Sequence, residues 1–113
     1  MKTFAQIINL VDDPKIIEKY EEYHRNVWPE VIESLKTIGI KRMEIFRISN
    51  QLFMYCQAED NFDPKHDFQK YTERNPKAEE WNDLMSTFQR KAPQASPEMW
   101  WMPIKLVFDS EWF

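Results

Sequence analysis

Tyr20 and His24 stand four residues apart in the run YEEYHRNVWPEV, residues 20–31. An imidazole, with an ordinary pKa of about 6.5, exchanges protons near neutrality, and a phenol hydroxyl both donates and accepts hydrogen bonds. Residues four apart on a helix share a face. Here Ile16, Ile17, Tyr20, Tyr23, His24 and Val27 recur at three- and four-residue spacing, with Glu18, Glu21, Glu22 and Arg25 opposite, so both polar-tipped rings are expected on the inward face. Buried polar groups need partners, which a ligand or neighbouring backbone can supply. Periodicity alone therefore accommodates two roles for His24, a group that handles protons or a core-edge histidine that satisfies nearby carbonyls. The other histidine, His66, lies in the charged stretch DPKHDFQ, where a solvated surface role is expected.

Other chemistries find little support. The chain has no His-x-His pair, no His-Glu-x-x-His and no cysteine cluster, so no metal site is predicted. One glycine in 113 residues rules out a glycine-rich phosphate loop. No Ser or Cys is positioned by the sequence as a nucleophile for His24. What remains is acid–base chemistry on a small neutral ligand. A formal charge of −4, with 15 Lys plus Arg among 19 Asp plus Glu, gives no basic patch for a nucleic acid. The lone cysteine, Cys56, sits in the apolar run LFMYCQA, which predicts a buried thiol and fits a reducing compartment. The N-terminus MKTFAQIINL lacks the features of a signal peptide, and no window approaches the roughly 20 apolar residues that span a bilayer. A soluble, cytoplasmic protein with no membrane partner is expected. Aromatic residues make up 15% of the chain, and such rings serve equally to fill a core or to stack on a sugar.

The elements that must position these rings follow from pattern. TFAQIINL, residues 3–10, reads as a strand, and Asp13-Pro14 can cap and open a helix. Pro29 disfavours helical geometry at Trp28, so the helix should kink or restart there and run through Val31, Ile32, Leu35 and Ile38 to Gly39, a natural stop. IKRMEIFRI and QLFMYCQAE, separated by Ser49-Asn50, form a predicted hairpin. Met43, Ile45 and Arg47 fall on one of its faces and Glu44, Phe46 and Ile48 on the other. A polar loop, DNFDPKHD, leads through FQKYTERN to PKAEEWNDLMSTFQ, whose Trp81, Leu84, Met85 and Phe88 mark the second principal helix. RKAPQASPEMWWMP, with three prolines, is expected to be irregular, and IKLVFDSEWF to be a fourth strand.

The order β-α-β-β-α-β makes residues 1–113 a single α+β domain of the split βαβ, ferredoxin-like kind. Helices cover one face of such a sheet. The other face, if apolar, is most simply covered by a second copy, so a homodimer is expected.

The run Tyr20-x-x-x-His24-x-x-x-Trp28-Pro29-Glu30, after a short first strand and before a helix ending at Gly39, resembles the signature of the L-rhamnose mutarotase family. The resemblance extends over most of the chain. It implies a dimeric α+β barrel that interconverts the α and β anomers of a 6-deoxy-hexose without a cofactor. On matching positions it implies His24 as proton donor to the monosaccharide and Tyr20 as a substrate-binding hydroxyl. Two positions depart from the family pattern. Met43 stands where a tyrosine is expected early in the second strand, and Glu80-Trp81 where two adjacent tryptophans are expected. Met43, Glu80 and Trp81 are thus carried as substrate-site positions, with L-rhamnose the first sugar and L-fucose the second. The implied chemistry is ring opening, rotation about C1–C2 and closure on the other face. His24 is the acid. Glu30, Glu80, Asp83 and water are candidates for the base. A sugar- or metabolite-binding module, and a cofactor-independent monooxygenase of the same architecture, share the expected fold.

Overall fold

The computed structural model describes residues 1–73, 75–95 and 100–113. Strand β1 (Lys2–Leu10) is followed by helices α1 (Pro14–Arg25) and α2 (Pro29–Thr37), then the hairpin β2 (Ile40–Ile48) and β3 (Gln51–Ala58). Helices α3 (Pro64–Glu73) and α4 (Pro76–Ser86) come next, then the short strands β4 (Gln89–Arg90) and β5 (Met102–Ile104), and a 3-10 turn at Ser110–Trp112. The sheet is antiparallel in the order β2-β3-β1-β4, and β5 also pairs with β1. This is the predicted ferredoxin-like order, with each principal helix built as two segments.

The signals at the helix ends act as predicted. The Asp13 side chain accepts the Lys15 amide at 2.9 Å and Pro14 opens α1. Trp28 is extended, at φ −61° and ψ 135°, so Pro29 starts α2 instead of interrupting a helix. Gly39, at φ +106°, turns the chain out of α2 in a region that favours glycine. Its carbonyl accepts the Glu59 amide at 2.9 Å, tying that turn to the end of β3. The predicted loop DNFDPKHD is shorter than expected because α3 already begins at Pro64. Asp63 and Asp67 cap one another's turn: Asp67 Oδ2 accepts the Asp63 amide at 2.8 Å, and Asp63 Oδ1 accepts the Lys65 amide.

Cross-strand partners share a face, and burial shows which face the helices cover. Gln6, Ile8 and Leu10 of β1 and Leu52, Met54, Cys56 and Ala58 of β3 are buried beneath the helices. One core cluster joins Ile8, Leu10 and Leu52 to Tyr20, Val31, Trp81, Met85 and Phe88, and a second gathers Ile40, Ala58 and Phe62. On the opposite face Phe46, Ile48 and Phe53 are exposed, with the Phe46 and Phe53 rings 6.4 Å apart.

The fourth strand departs from the prediction. IKLVFDSEWF contributes only Ile104 to the sheet, while Arg90, Met102 and Pro103, from the stretch expected to be irregular, are strand residues; residues 96–99 of that stretch lie outside the described residues. Two short pieces share the edge beside β1, with β4 against Asn9 and Leu10 and β5 against Ala5, Gln6 and Ile7. Pro103 is tolerated because the strand lies at an edge. Beyond Ile104, apolar side chains occur consecutively at Leu106, Val107 and Phe108 and stay exposed. A single chain offers no second layer to bury them, so extending the ladder there gains little.

Candidate active site

α1 carries Tyr20 into the main core, with His24 one turn on against it. The Tyr20 ring is buried and stacks on the His24 ring, centroids 4.2 Å apart at 28°. His24 also meets the edge of Trp81 at 5.4 Å, and Trp81 in turn meets Trp28 at 5.2 Å and Tyr23 at 6.0 Å. Phe88 closes the group against Tyr20 and Tyr23. Tyr20, His24 and Trp81, three of the residues singled out in the sequence, thus form one aromatic wall from α1 and α4, completed by Trp28 at the start of α2.

His24 Nδ1 lies 2.8 Å from the carbonyl oxygen of Tyr20. A carbonyl oxygen only accepts, so Nδ1 carries the proton, and in the neutral ring Nε2 presents a lone pair. One nitrogen therefore satisfies a carbonyl, as a core-edge histidine does, while the other makes no hydrogen bond among the described residues. Burial lowers the His24 pKa below the usual imidazole value, partly offset by the bond to Tyr20. Tyr20 is shifted the other way: burial pushes its pKa up to about 12, against a smaller opposing effect of its hydrogen bond with the Gln89 side chain. At neutral pH the pair is an uncharged base beside an uncharged phenol.

Gln89 was not anticipated from the sequence. β4 pairs it with Leu10, so its side chain enters the helix-covered side, where it is 5% exposed. Its Oε1 accepts Trp100 Nε1–H at 2.6 Å. Trp100 thus reaches the site through Gln89. Gln6 is a second buried amide on this side of the sheet, in register with Met54. A polar residue in the inward series Phe4, Gln6, Ile8, Leu10 was the signal that could have found it; Gln89 follows a helix end and carried no comparable signal.

The remaining positions lie elsewhere. Met43 is half-buried and packs with the second cluster, around Ile40, Ala58 and Phe62. Glu80 faces solvent on α4, with its carboxylate 3.3 Å from Lys77 Nζ. Asp83 is exposed as well, and Glu30 is half-buried in the first turn of α2. His66 is exposed and bonds Asp63 Oδ2 at 2.6 Å, as its charged surroundings predicted. Cys56 is fully buried, and burial pushes its thiol pKa up to about 12, which makes it a poor nucleophile. Among the described residues no helix is long and apolar enough to cross a membrane.

Comparison with known proteins places this geometry in context. A family profile described as L-rhamnose mutarotase matches residues 3–110. An L-fucose mutarotase from Xanthomonas campestris pv. campestris is 33% identical over 110 residues, taking in 96% of this chain and 87% of that protein. A UPF0734 protein from Dictyostelium discoideum is 52% identical over 115 residues, taking in 99% and 92%. Among solved structures, L-rhamnose mutarotase FA22100 from Formosa agariphila superposes with a TM-score of 0.69 at 24% identity, covering 96% of this chain and 98% of that one. Tetracenomycin F2 cyclase from Streptomyces glaucescens follows at 0.64 and 16% identity, covering 97% and 99%. At these identities the superpositions establish the shared fold.

Proposed function

This chain belongs to the L-rhamnose mutarotase family, and on that footing we propose that it interconverts the α and β anomers of a 6-deoxy-L-hexose, with His24 moving the proton. The observation that carries the reading is the His24 bond to the Tyr20 carbonyl. It commits Nδ1–H to the backbone, so Nε2 enters the reaction as an acceptor. Nε2 takes the anomeric hydroxyl proton as the C1–O5 bond breaks and its electron pair moves to O5. O1 and O5 are bonded to the same carbon, so the imidazolium can hand that proton to O5 and release the open aldehyde. Rotation about C1–C2 and the reverse steps on the other face complete the exchange. His24 is then base first and donor second. No carboxylate is required, in keeping with the solvent-facing positions of Glu80 and Asp83.

Tyr20 offers its hydroxyl to the sugar, and the apolar face of the 6-deoxy ring lies against Trp81. L-fucose is the favoured substrate over L-rhamnose. The L-fucose mutarotase relative is 33% identical across 96% of this chain, against 29% across 91% for an L-rhamnose mutarotase from Burkholderia ambifaria. The working form is a cytoplasmic homodimer closed over the exposed Phe46, Ile48 and Phe53.

Exchange NMR on equilibrated L-fucose and L-rhamnose tests the reading. Anomer exchange above the buffer-catalysed background, faster on L-fucose, is the expected result. Background exchange on both sugars in the presence of folded protein overturns it.

A further inference from the structure

Two buried side chains and a partly exposed indole form a chain that the proton transfer does not use: Trp100 Nε1–H to Gln89 Oε1 at 2.6 Å, and the Gln89 amide to the Tyr20 hydroxyl. An indole N–H can only donate, so it fixes which end of the Gln89 amide is oxygen. Oε1 faces Trp100, so the opposite end of the amide, the NH₂ group, reaches the Tyr20 oxygen and can only donate to it, in keeping with the lowering effect of this bond on the Tyr20 pKa. The Tyr20 oxygen is therefore an acceptor toward Gln89, and its own proton has to point elsewhere. Gln89 is well placed for this, since its register with Leu10 holds the side chain inside the fold at 5% exposure. Had the amide been reversed, its oxygen would capture the phenol proton.

We propose that Gln89 is a positioning residue for the sugar site: oriented by Trp100, it donates to the Tyr20 oxygen and so turns the Tyr20 proton toward the ligand as a donor. This rests on the reading that the aromatic wall receives a 6-deoxy-hexose, and it assigns the polarity of one contact in that site. Tyr20 meets the sugar as a donor only, so it pairs with a ring or hydroxyl oxygen that offers a lone pair.

A double-mutant cycle separates this role from simple packing. Gln89→Met keeps the volume and removes both bonds. Trp100→Phe keeps the ring and removes only the N–H, which preserves a test if Gln89→Met fails to fold. In the wild-type background each variant should weaken L-fucose binding, read from tryptophan fluorescence, by roughly the 2- to 10-fold of one ordinary hydrogen bond. In the Tyr20→Phe background neither should weaken it further. Equal losses in both backgrounds overturn the proposal, because a structural Gln89 acts without the Tyr20 hydroxyl.

Ligand-free protein labelled with ¹³Cζ-tyrosine provides a second readout that does not depend on sugar. The Tyr20 resonance should move in both variants, and an unmoved resonance in folded protein overturns the proposal. If the wild type binds no sugar, the mutarotase reading fails on its own test, and the Gln89 assignment stands or falls on that resonance.

Discussion

At the scale of single residues, the protonation state of His24 decides what can be measured. The ring is held neutral by burial and tied through Nδ1 to the Tyr20 carbonyl, so activity should require the unprotonated form. The kcat/KM profile for anomer exchange should fall on the acid side with a midpoint below the ordinary imidazole value of about 6.5. A midpoint above that value contradicts the assignment. Stability follows the same sign. Between the lowered folded pKa and the unfolded one, the unfolded chain binds more protons, so this contribution is complete above the unfolded pKa and is lost as pH falls through the folded one. His24→Ala should lower exchange by about 10²- to 10⁴-fold while leaving sugar binding measurable. Tyr20→Phe should mainly raise KM, by about 0.5–1.5 kcal/mol in binding. A Tyr20→Phe enzyme with unchanged KM and a collapsed kcat points to a proton-transfer role for the phenol. Tyr20 and His24 were legible in the sequence because helical spacing put two polar rings on one inward stripe. The tautomer was not legible, because it depends on a backbone carbonyl whose orientation exists only in the folded helix.

Elements show which signals carry far enough to be read. Asp13-Pro14, Trp28-Pro29 and Gly39 act through their own backbone geometry, and each ends or opens a helix where the sequence reading placed it. Asp13→Ala removes the acceptor of the Lys15 amide and should cost about 1 kcal/mol, seen as a drop of a few degrees in Tm. Gly39→Ala should cost at least as much in the same assay. Its φ of +106° strains any side chain, and a Cβ there would lie 3.3 Å from Glu59 Cγ. A Gly39→Ala protein as stable as wild type argues against this turn. The edge strands were illegible for the opposite reason. Gln89–Arg90 is too short to show alternation, and Pro103 reads as a breaker although the outer side of β5 tolerates it. Leu106 to Phe108 look like strand because they are apolar, yet strand pairing needs something to pack against. Met43 and Glu80 show the limit of positional carry-over: each occupies its matching place in the chain, but one packs into the second cluster and the other pairs with Lys77 in solvent.

Across the whole molecule, apolar surface is left uncovered on the open sheet face and in the tail. Phe46, Ile48 and Phe53 on the open sheet face, and Leu106, Val107, Phe108, Trp112 and Phe113 in the tail, are all exposed in the single chain. A patch of this kind marks an interaction surface, and a self-complementary pair buries it most simply. Light scattering at micromolar concentration should give a dimer mass, and Phe46→Glu with Phe53→Glu should shift it to monomer. A wild-type monomer at that concentration removes the dimer from the proposal. The sequence made this expectation legible because both faces of the hairpin carry apolar residues; how the tail shares in it depends on where β5 stops. The position of β1 has a further consequence, in the order of synthesis. β1 is made first, yet it lies inside the sheet and pairs with β3, β4 and, at Ala5 to Ile7, with β5 from the far end of the chain. No emerging N-terminal fragment can complete its own sheet. On the ribosome the edge of β1 stays bare until β5 emerges, so the nascent chain depends on shielding by the ribosome surface or a chaperone, and termination ahead of β5 leaves a fragment prone to aggregate.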